Sequence, residues 1–350
     1  MSKESKKLLV ILTGGTICSS VNEDNERFSD AENVQIVNEF RKSGSRFANA
    51  EFESITVLDI LSENMTIDAW NRMLDSLKSI DMEKYCGVII LHGTDTLAYT
   101  SSLLSIVLAG CRVPVCLVSA QLPLCMADSN GNANFRAATE LIMNGIKPNV
   151  YVVYRNSNGA MYAHYGAHLL QCENYSNDFF SFDMMKIDDT ENACLDGKAF
   201  ESNGYLIEKT DKLSPCVLRI VPYVGIDYGM YNLSGVRAVV HGTYHSDTVC
   251  VERSRGQGKI TDFSVLSFLS RCKKENVQFF LAPCDALAYS YESTGDAIKN
   301  GAECISGMTC EMAYVKTLVG CALGYEGEEL CSFINKSINH EAFFKNTAEK

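Results

Sequence analysis

Hydrophobic residues in this chain fall into short uninterrupted runs separated by amphipathic stretches. Four such runs, each with the length of a single strand, occupy residues 8–12, 87–91, 113–119 and 149–154. A continuous apolar run of this length is typical of a strand that is buried on both faces of a parallel sheet. Between the runs, Thr66 is a favourable N-cap for a helix that carries Trp70, Leu74 and Leu77 on one face. The pattern therefore predicts an α/β fold with a mainly parallel sheet.

Two of these runs end in glycine followed by hydroxyl and acidic residues. The run at 8–12 continues into TGGT at 13–16, and the run at 87–91 continues into HGTDT at 92–96. Glycine allows positive φ angles and lets another molecule approach the backbone closely. Because open α/β sheets bind ligands at the carboxyl ends of their strands, we expect Thr16, Thr94 and Asp95 to point into one crevice. Thr94, Asp95 or Thr96 could also cap the helix that follows, and both roles can coexist.

The second half of the chain forms a separate series of predicted strands and helices. Residues 192–214 are polar and contain glycine, and a new α/β pattern begins at about residue 216. A chain of 350 residues is long enough for two domains. We expect a larger N-terminal domain at 1–213 and a smaller C-terminal α/β domain at 214–350, with the linker at about 205–215.

Charge and composition argue against several classes of partner. The net charge is −12 and the chain has no basic cluster, so neither nucleic acid nor an anionic membrane is an expected partner. The opening MSKESKK precedes an apolar run that is too short for the core of a signal peptide, and no later stretch reaches transmembrane length. We therefore expect a cytoplasmic protein.

The cysteines and histidines do not indicate a metal site. The 15 cysteines include no C-x-x-C pair, and an odd number in a large chain favours reduced, buried thiols. Two histidine pairs with i, i+4 spacing, at 164/168 and 241/245, are each interrupted by a glycine. No G-x-G-x-x-G follows the first strand, which weakens a dinucleotide-binding interpretation. We expect neither a metal nor a cofactor.

The motifs at the two strand ends resemble those of the L-asparaginase family of threonine amidohydrolases. LTGGTI and VIILHGTDTLAYT carry the resemblance, and SAQLPL and MTCEMAYVKTL are similar to stretches in its cytoplasmic branch. The resemblance implies a two-domain asparaginase-like fold, in which a larger, mainly parallel sheet precedes a smaller α/β domain. It also implies a homodimer or homotetramer in which the partner's C-terminal domain completes each pocket. Tyr289, Tyr291 and Glu292 are candidates for that contribution.

The resemblance assigns roles to several residues of the crevice. Thr16 would attack the substrate amide, Thr94 and Asp95 would form a proton relay with a lysine, and the backbone near Gly15 and Gly93 would stabilise the oxyanion. The remaining assigned residues are Ser62 and Glu63, which would hold the α-carboxylate and α-ammonium groups of the substrate, and Ala120, which would close the crevice. A plainer interpretation is that Ser62 and Glu63 are loop and capping residues before Thr66.

The chain departs from the family where a catalytic lysine is expected. Aligning the segment that begins at Gly166 places Gln171 at the lysine position, and no lysine occurs between Lys147 and Lys186. A side-chain amide forms hydrogen bonds but does not act as a base. His168 is a candidate substitute base. The segment at 19–30, which we expect to be a surface loop or lid, also lacks the tyrosine that the family carries there.

These motifs are compatible with two functions. The first is an amidohydrolase that releases ammonia from a small amino acid, most simply L-asparagine to L-aspartate, through a threonine acyl-enzyme. The second is an amino-acid-binding sensor on the same scaffold, with weak or no turnover because the lysine is replaced.

Overall fold

The computed structural model describes residues 7–21, 27–29, 35–190, 192–193, 195, 197–200, 206–252, 260–285 and 291–343. The chain divides into two compact units, Met1–Thr210 and Asp211–Lys350, which are called unit 1 and unit 2 below. The boundary predicted from the sequence is 213/214.

Unit 1 is built around a large, mainly parallel sheet. Its parallel strands are β1 (Lys7–Gly14), β4 (Glu51–Ile60), β5 (Gly87–Leu91), β6 (Val115–Val118) and β7 (Val150–Arg155). Two antiparallel strands, β8 (Met161–Tyr165) and β9 (Met184–Ile187), extend it at one edge. The seven strands have the order β4-β1-β5-β6-β7-β8-β9. The four strongest apolar runs of the sequence therefore form adjacent strands at the centre of the sheet.

The described part of unit 1 contains four α-helices: α1 (Gln35–Lys42), α2 (Ile67–Lys78), α3 (Leu97–Val107) and α4 (Gly131–Met143). Helix α4 packs against β5, β6, β7 and α1, and α2 packs against β4. The predicted cap of α2 is confirmed, since the Thr66 side chain accepts a hydrogen bond from Ala69 N at 3.1 Å. Helix α3 is almost entirely buried, as expected for a helix inside a core, and its serine and threonine residues are buried with it.

The segment at 19–30 contains more regular structure than the sequence analysis predicts. Strands β2 (Ser19–Val21) and β3 (Arg27–Ser29) form an antiparallel pair, and residues 22–26 and 30 lie outside the described part of the chain. The prediction of a simple loop is therefore wrong for these two strands. Strand pairing satisfies backbone groups without requiring an apolar period, so the polar sequence gives no sign of it.

Unit 2 is a smaller α/β structure with its own core. Its four parallel strands, in order across the sheet, are β10 (Val217–Ile220), β11 (Ala238–His241), β12 (Gln278–Leu281) and β13 (Glu303–Cys304). Its helices are α5 (Val265–Lys274), α6 (Glu292–Lys299), α7 (Cys310–Ala322) and α8 (Gly327–Asn335). Helix α7 packs against β10 and β11, and α5 packs against β12.

The predicted α/β class, with a large parallel-dominated sheet before a smaller α/β unit, is confirmed. Among the described residues, no helix is both long and apolar enough to cross a membrane.

Candidate active site

The carboxyl ends of β1 and β5 meet through glycine backbones. Gly14 and Gly15 have φ angles of +95° and +82°, and Gly15 N donates a hydrogen bond to Ile60 O at 2.8 Å. A Cβ atom added to Gly15 would lie 2.5 Å from Gly93 Cα, far inside normal van der Waals contact. Both the backbone conformation and the close approach therefore require glycine at position 15.

Ser62 connects this glycine contact to Asp95. Ser62 is buried, and its Oγ donates a hydrogen bond to Asp95 Oδ2 at 3.0 Å and accepts one from Asp95 N at 3.2 Å. The Thr96 hydroxyl donates to Ser62 O at 3.0 Å. One hydrogen bond to the carboxylate, one from Asp95 N and one from Thr96 therefore fix the segment 95–96 relative to the turn that follows β4.

This arrangement changes the expected capping of α3. Thr96 occupies the N-cap position, but its side chain makes no capping hydrogen bond, because its hydroxyl is directed to Ser62. The helix instead begins with a main-chain bond from Leu97 N to Thr94 O at 3.3 Å. The hydroxyl of Thr94 and the carboxylate of Asp95 are therefore not needed to begin the helix.

Thr94 and Asp95 line a cavity of about 260 Å³ at this end of the sheet. The other described residues that line it include Gln121, Tyr154, Gln171 and the segment 172–177. The volume suits a small molecule of amino-acid size rather than a polymer or a large cofactor. Three of the residues predicted from the sequence, Thr94, Asp95 and Gln171, are thus brought together around one space.

Gln171 is attached directly to the main chain of Asp95. Its Nε2 donates a hydrogen bond to Asp95 O at 2.6 Å. Because a carbonyl oxygen accepts only from a donor, this bond assigns the amide nitrogen to the side facing Asp95. The opposite atom, Oε1, is buried and has no hydrogen-bond partner among the described residues. The residue at the predicted lysine position is therefore an anchored amide with one unused acceptor.

The segment 172–178 forms one wall of the cavity and is held by its own polar groups. Cys172 Sγ lies 3.3 Å from both Ser176 O and Asp178 O, which share its single proton as acceptors, and burial raises the pKa of this thiol. A raised pKa keeps the thiol protonated and able to donate. Asp178 in turn accepts hydrogen bonds from Ser157 N at 2.6 Å and Ser157 Oγ at 2.8 Å. At the tip, Tyr175 has a φ angle of +62° and is fully exposed.

Tyr154, the fifth residue of β7, is a cavity residue that the sequence analysis missed. Its side chain is fully buried and packs edge-to-face on Phe179, with ring centroids 4.9 Å apart. Burial raises the pKa of its hydroxyl to about 12, against a smaller lowering by a hydrogen bond with the Asn130 side chain. In the sequence it is one more apolar position of a buried strand. The only available signal was a hydroxyl at the carboxyl end of a strand, where ligands of parallel sheets bind.

His92 supports the main chain that carries Thr94 and Asp95. The ring is fully buried, and its Nδ1 lies 2.8 Å from Gly93 O. Burial lowers the pKa of His92 to about 4, so the imidazole is neutral at pH 7 and Nδ1–H is the donor. The histidine therefore acts as a neutral hydrogen-bonding group at the end of β5.

The remaining predicted residues of the crevice occupy different environments. Thr16 is half-buried and begins a 3₁₀ turn, Thr16–Cys18, directly after the Gly15 contact, but it is not among the described residues lining the cavity. Glu63 is exposed in the turn Ser62–Asn64, and Ala120 is buried after β6. Asn130 is buried and accepts from Gln121 N at 3.0 Å, which positions the chain beside the cavity.

His168, the candidate substitute base, lies away from the described lining of the cavity. It is buried between the rings of Tyr165 and Phe182, and its Nδ1 is 3.6 Å from Asp183 Oδ2. In unit 2, Glu292 begins α6 with its side chain exposed. Tyr291 is also exposed, and Tyr289 lies outside the described residues. The part of the chain that the structure describes contains no cluster of three potential metal ligands.

Comparison with known proteins gives a consistent set of relatives. The chain is 31% identical to the L-asparaginase of Dirofilaria immitis over a region covering 45% of this chain and 30% of that protein. It is 36% identical to a protein of Saccharolobus islandicus that is named as one of the subunits of glutamyl-tRNA(Gln) amidotransferase, over 33% of this chain and 25% of that protein. The matched regions thus span less than a third of the length of these two curated relatives.

The structural comparison covers almost the whole chain. The thermostable L-asparaginase from Thermococcus kodakarensis superposes with a TM-score of 0.77 at 23% sequence identity, covering 97% of this chain and 100% of that one. At this identity the similarity establishes the fold. The family model for the N-terminal domain of asparaginases matches residues 7–193, which is more than half of the sequence and contains the whole cavity described above. This chain therefore belongs to the asparaginase family.

Proposed function

We propose that the protein is an amidohydrolase that releases ammonia from the side-chain amide of a small amino acid, with L-asparagine as the first substrate to test. The observation that supports it most strongly is the meeting of Thr94, Asp95 and Gln171 around one small cavity at the carboxyl ends of the parallel strands. The Gly15 backbone, which precedes Thr16, lies against Gly93 at the edge of the same site.

In the proposed reaction, the Thr16 hydroxyl attacks the amide carbon and forms an acyl-enzyme. The C–N bond breaks, ammonia leaves with the proton taken from the hydroxyl, and water then hydrolyses the ester to the acid. A threonine hydroxyl needs a base to accept its proton. Asp95, whose carboxylate is held by Ser62 Oγ at 3.0 Å, is the proposed acceptor, with Thr94 positioned to relay the proton. Main-chain N–H groups near Gly15 and Gly93 would donate to the oxyanion.

Gln171 makes slow turnover an expected property of this site. Its amide has no useful proton affinity, so it positions Asp95 through the 2.6 Å bond to Asp95 O but does not activate a nucleophile. Loss of a general base typically lowers a rate by about 10²–10⁴-fold. Because one relative is named as an amidotransferase subunit, amides other than L-asparagine are also tested as substrates.

The same residue supports a second candidate function. A cavity that binds an amino acid without a strong base fits an amino-acid sensor on the asparaginase scaffold. Under this alternative Thr94, Asp95 and Gln171 hold the ligand, and Thr16 carries out no chemistry.

Two measurements separate these functions. The first is ammonia release from L-asparagine and L-glutamine between pH 5 and 9, and the second is the binding of the same amides measured by calorimetry. The amidohydrolase predicts ammonia release that Thr16→Ala abolishes and that Thr190→Ala, a threonine outside this cavity, leaves unchanged. The sensor predicts binding without ammonia, with activity appearing in Gln171→Lys. No ammonia and no binding with any amide would exclude both.

Four further properties are proposed with this function. The ligand is a small amino acid, and the protein assembles as a homodimer or homotetramer, with Glu292 of one protomer as a candidate contribution to its partner's site. The domains are those given by the sequence, 1–213 and 214–350. A cytoplasmic location is proposed from the sequence alone.

A further inference from the structure

Unit 2 contains two thiols in direct contact. Cys284 follows strand β12, Cys304 ends strand β13, and their sulfur atoms lie 2.6 Å apart. Sulfur atoms in a disulfide are about 2.0 Å apart, so these two need to approach by only about 0.6 Å to bond. The two side chains are therefore placed for a disulfide rather than for ordinary packing.

The main chain holds the two cysteines side by side. Leu281 lies opposite Cys304 in the parallel ladder, and Ile305 N donates to Leu281 O at 2.8 Å. Cys284 N donates to Ile305 O at 3.0 Å. Neighbouring strands are about 4.8 Å apart, which lies within the Cα separations of about 4.4–6.8 Å that a disulfide spans. Side-chain rotation is therefore enough to close the bond.

The two cysteines differ in access and in acidity. Cys284 is only 1% exposed, whereas Cys304 is half-buried. A hydrogen bond between the two thiols lowers the pKa of Cys304 and raises that of Cys284. Burial and the carboxylates of Asp247 and Asp285 oppose the lowering at Cys304 without cancelling it. Because a thiolate is the nucleophilic form, Cys304 is the residue that reacts first with an oxidant from solvent.

A metal site is a poorer interpretation of the same pair. A structural zinc site needs four protein ligands, and the described residues contain no group of three potential metal ligands.

We propose that Cys284 and Cys304 form an oxidative modification site, at which hydrogen peroxide converts the two thiols into a disulfide. The Cys304 thiolate attacks the peroxide, so that an S–O bond forms, the O–O bond breaks and the leaving hydroxide takes up a proton to become water. Cys284 then loses its proton and attacks the Cys304 sulfur, so that the S–S bond forms, the S–O bond breaks and a second water leaves. The two sulfurs lose two electrons in total, and the peroxide gains them. This site does not depend on the proposed function.

The disulfide would tie the edge of the unit 2 sheet to its interior. Strand β13 has two residues and lies at the edge of the sheet, and the cysteines are 20 residues apart with α6 between them. A cross-link that closes a loop of this length restricts the unfolded chain. Oxidation should therefore raise Tm by about 6–12 °C.

Peptide mapping of the full chain tests the site. The reduced protein is treated with a small molar excess of hydrogen peroxide, its free thiols are alkylated, and tryptic peptides are analysed by mass spectrometry. We expect a cross-link between Cys284 and Cys304 that dithiothreitol reverses. Fragmentation must locate the bond, because Cys304 and Cys310 lie on one tryptic peptide, 300–316.

Cys310→Ser is the matched control. Cys310 is also half-buried, but its thiol donates to Ala282 O at 2.7 Å, a contact that serine can retain. This variant should form the same cross-link as the parent protein. In Cys284→Ser, oxidation should stop at a sulfenic acid on Cys304, which dimedone traps. Circular dichroism checks the folding of each variant.

The mapping of the parent protein decides the proposal without relying on any variant. A reversible cross-link between Cys284 and Cys304, with the expected rise in Tm, supports it. No cross-link after peroxide treatment, or a bond from either residue to a different cysteine, overturns it. An oxidised protein whose Tm equals that of the reduced protein would contradict the inferred link between the edge strand and the interior of the sheet.

Discussion

Replacing Gly93 by alanine tests whether close backbone contact positions the site. The added Cβ would lie 2.5 Å from Ser62 Cβ and 3.2 Å from Gly15 Cα. Carbon atoms in contact are normally about 3.5–4.0 Å apart, so Ser62 or the turn that carries it must move by about 1 Å. The substitution therefore acts directly on the residue that holds Asp95 by hydrogen bonds of 3.0 and 3.2 Å.

The size of the effect follows from this displacement. Forcing one extra methyl group into a packed position costs about 1–3 kcal/mol of folding free energy. For a domain of this size, each kcal/mol corresponds to about 2–4 °C in Tm. A shift of about 1 Å in a positioning residue can lower a rate by about 10²-fold. Gly93→Ala should therefore reduce Tm by several degrees and ammonia release by a larger factor than the loss of stability explains.

Thermal unfolding gives the Tm of each variant. Ammonia release is then compared at a temperature where all variants are folded. Gly295→Ala is the control, because its Cβ would meet no atom within 4 Å and it lies inside α6, where alanine should stabilise by about 0.5–1 kcal/mol. If Gly93→Ala matched the parent protein in both Tm and rate, the proposed contact between the strand ends would be wrong.

Three further predictions concern single groups. Ser62→Ala should lower the free energy of unfolding in urea by about 1–3 kcal/mol and reduce ammonia release, since it leaves Asp95 N without its 3.2 Å partner. Ser62→Thr, which keeps a hydroxyl, should retain part of the stability and part of the ammonia release. The free energy of unfolding should decrease as the pH falls from 6.5 towards 4, by about 1.4 kcal/mol per pH unit for each buried histidine. The reason is that folding lowers the pKa of these histidines from 6.5 to about 4, so the unfolded chain binds the protons first. A free energy of unfolding that stays constant over this pH range would contradict this prediction. The histidines concerned are His92, His164 and His241. In unit 2, Glu341→Gln should lower the free energy of unfolding by about 3–5 kcal/mol, because the fully buried Lys316 loses its ionic partner. The double variant with Lys316→Met should recover much of this loss, as measured by urea unfolding.

The sequence predicted the centre of the large sheet because each central strand carries its own signal. The runs that became β1, β5, β6 and β7 are continuous and apolar, and each is followed by glycine or small polar residues. Strands β8 and β9 lack such runs and were not predicted. A signal for β8 was nevertheless present, because NSNG at 156–159 is a typical hairpin turn and Gly159 has a φ angle of +80°.

The candidate site was predictable in part for the same physical reason. The motif residues Thr94 and Asp95 follow a buried strand directly, so their position at its carboxyl end depends on local sequence alone. The environment of Tyr154 depends instead on Phe179 and on the segment 172–178, which are distant in sequence and irregular in structure. The orientation of Gln171 is likewise set by a tertiary contact with Asp95 O.

The proposed function requires the carboxyl edge of the unit 1 sheet to bind an amino-acid amide for attack by Thr16. A crystal structure of the Thr16→Ala protein with bound L-asparagine would show this binding mode. We expect the amino acid in the cavity lined by Thr94, Asp95 and Gln171, with its amide carbon facing the side chain of residue 16. An asparagine bound elsewhere, or an amide turned away from that residue, would contradict it.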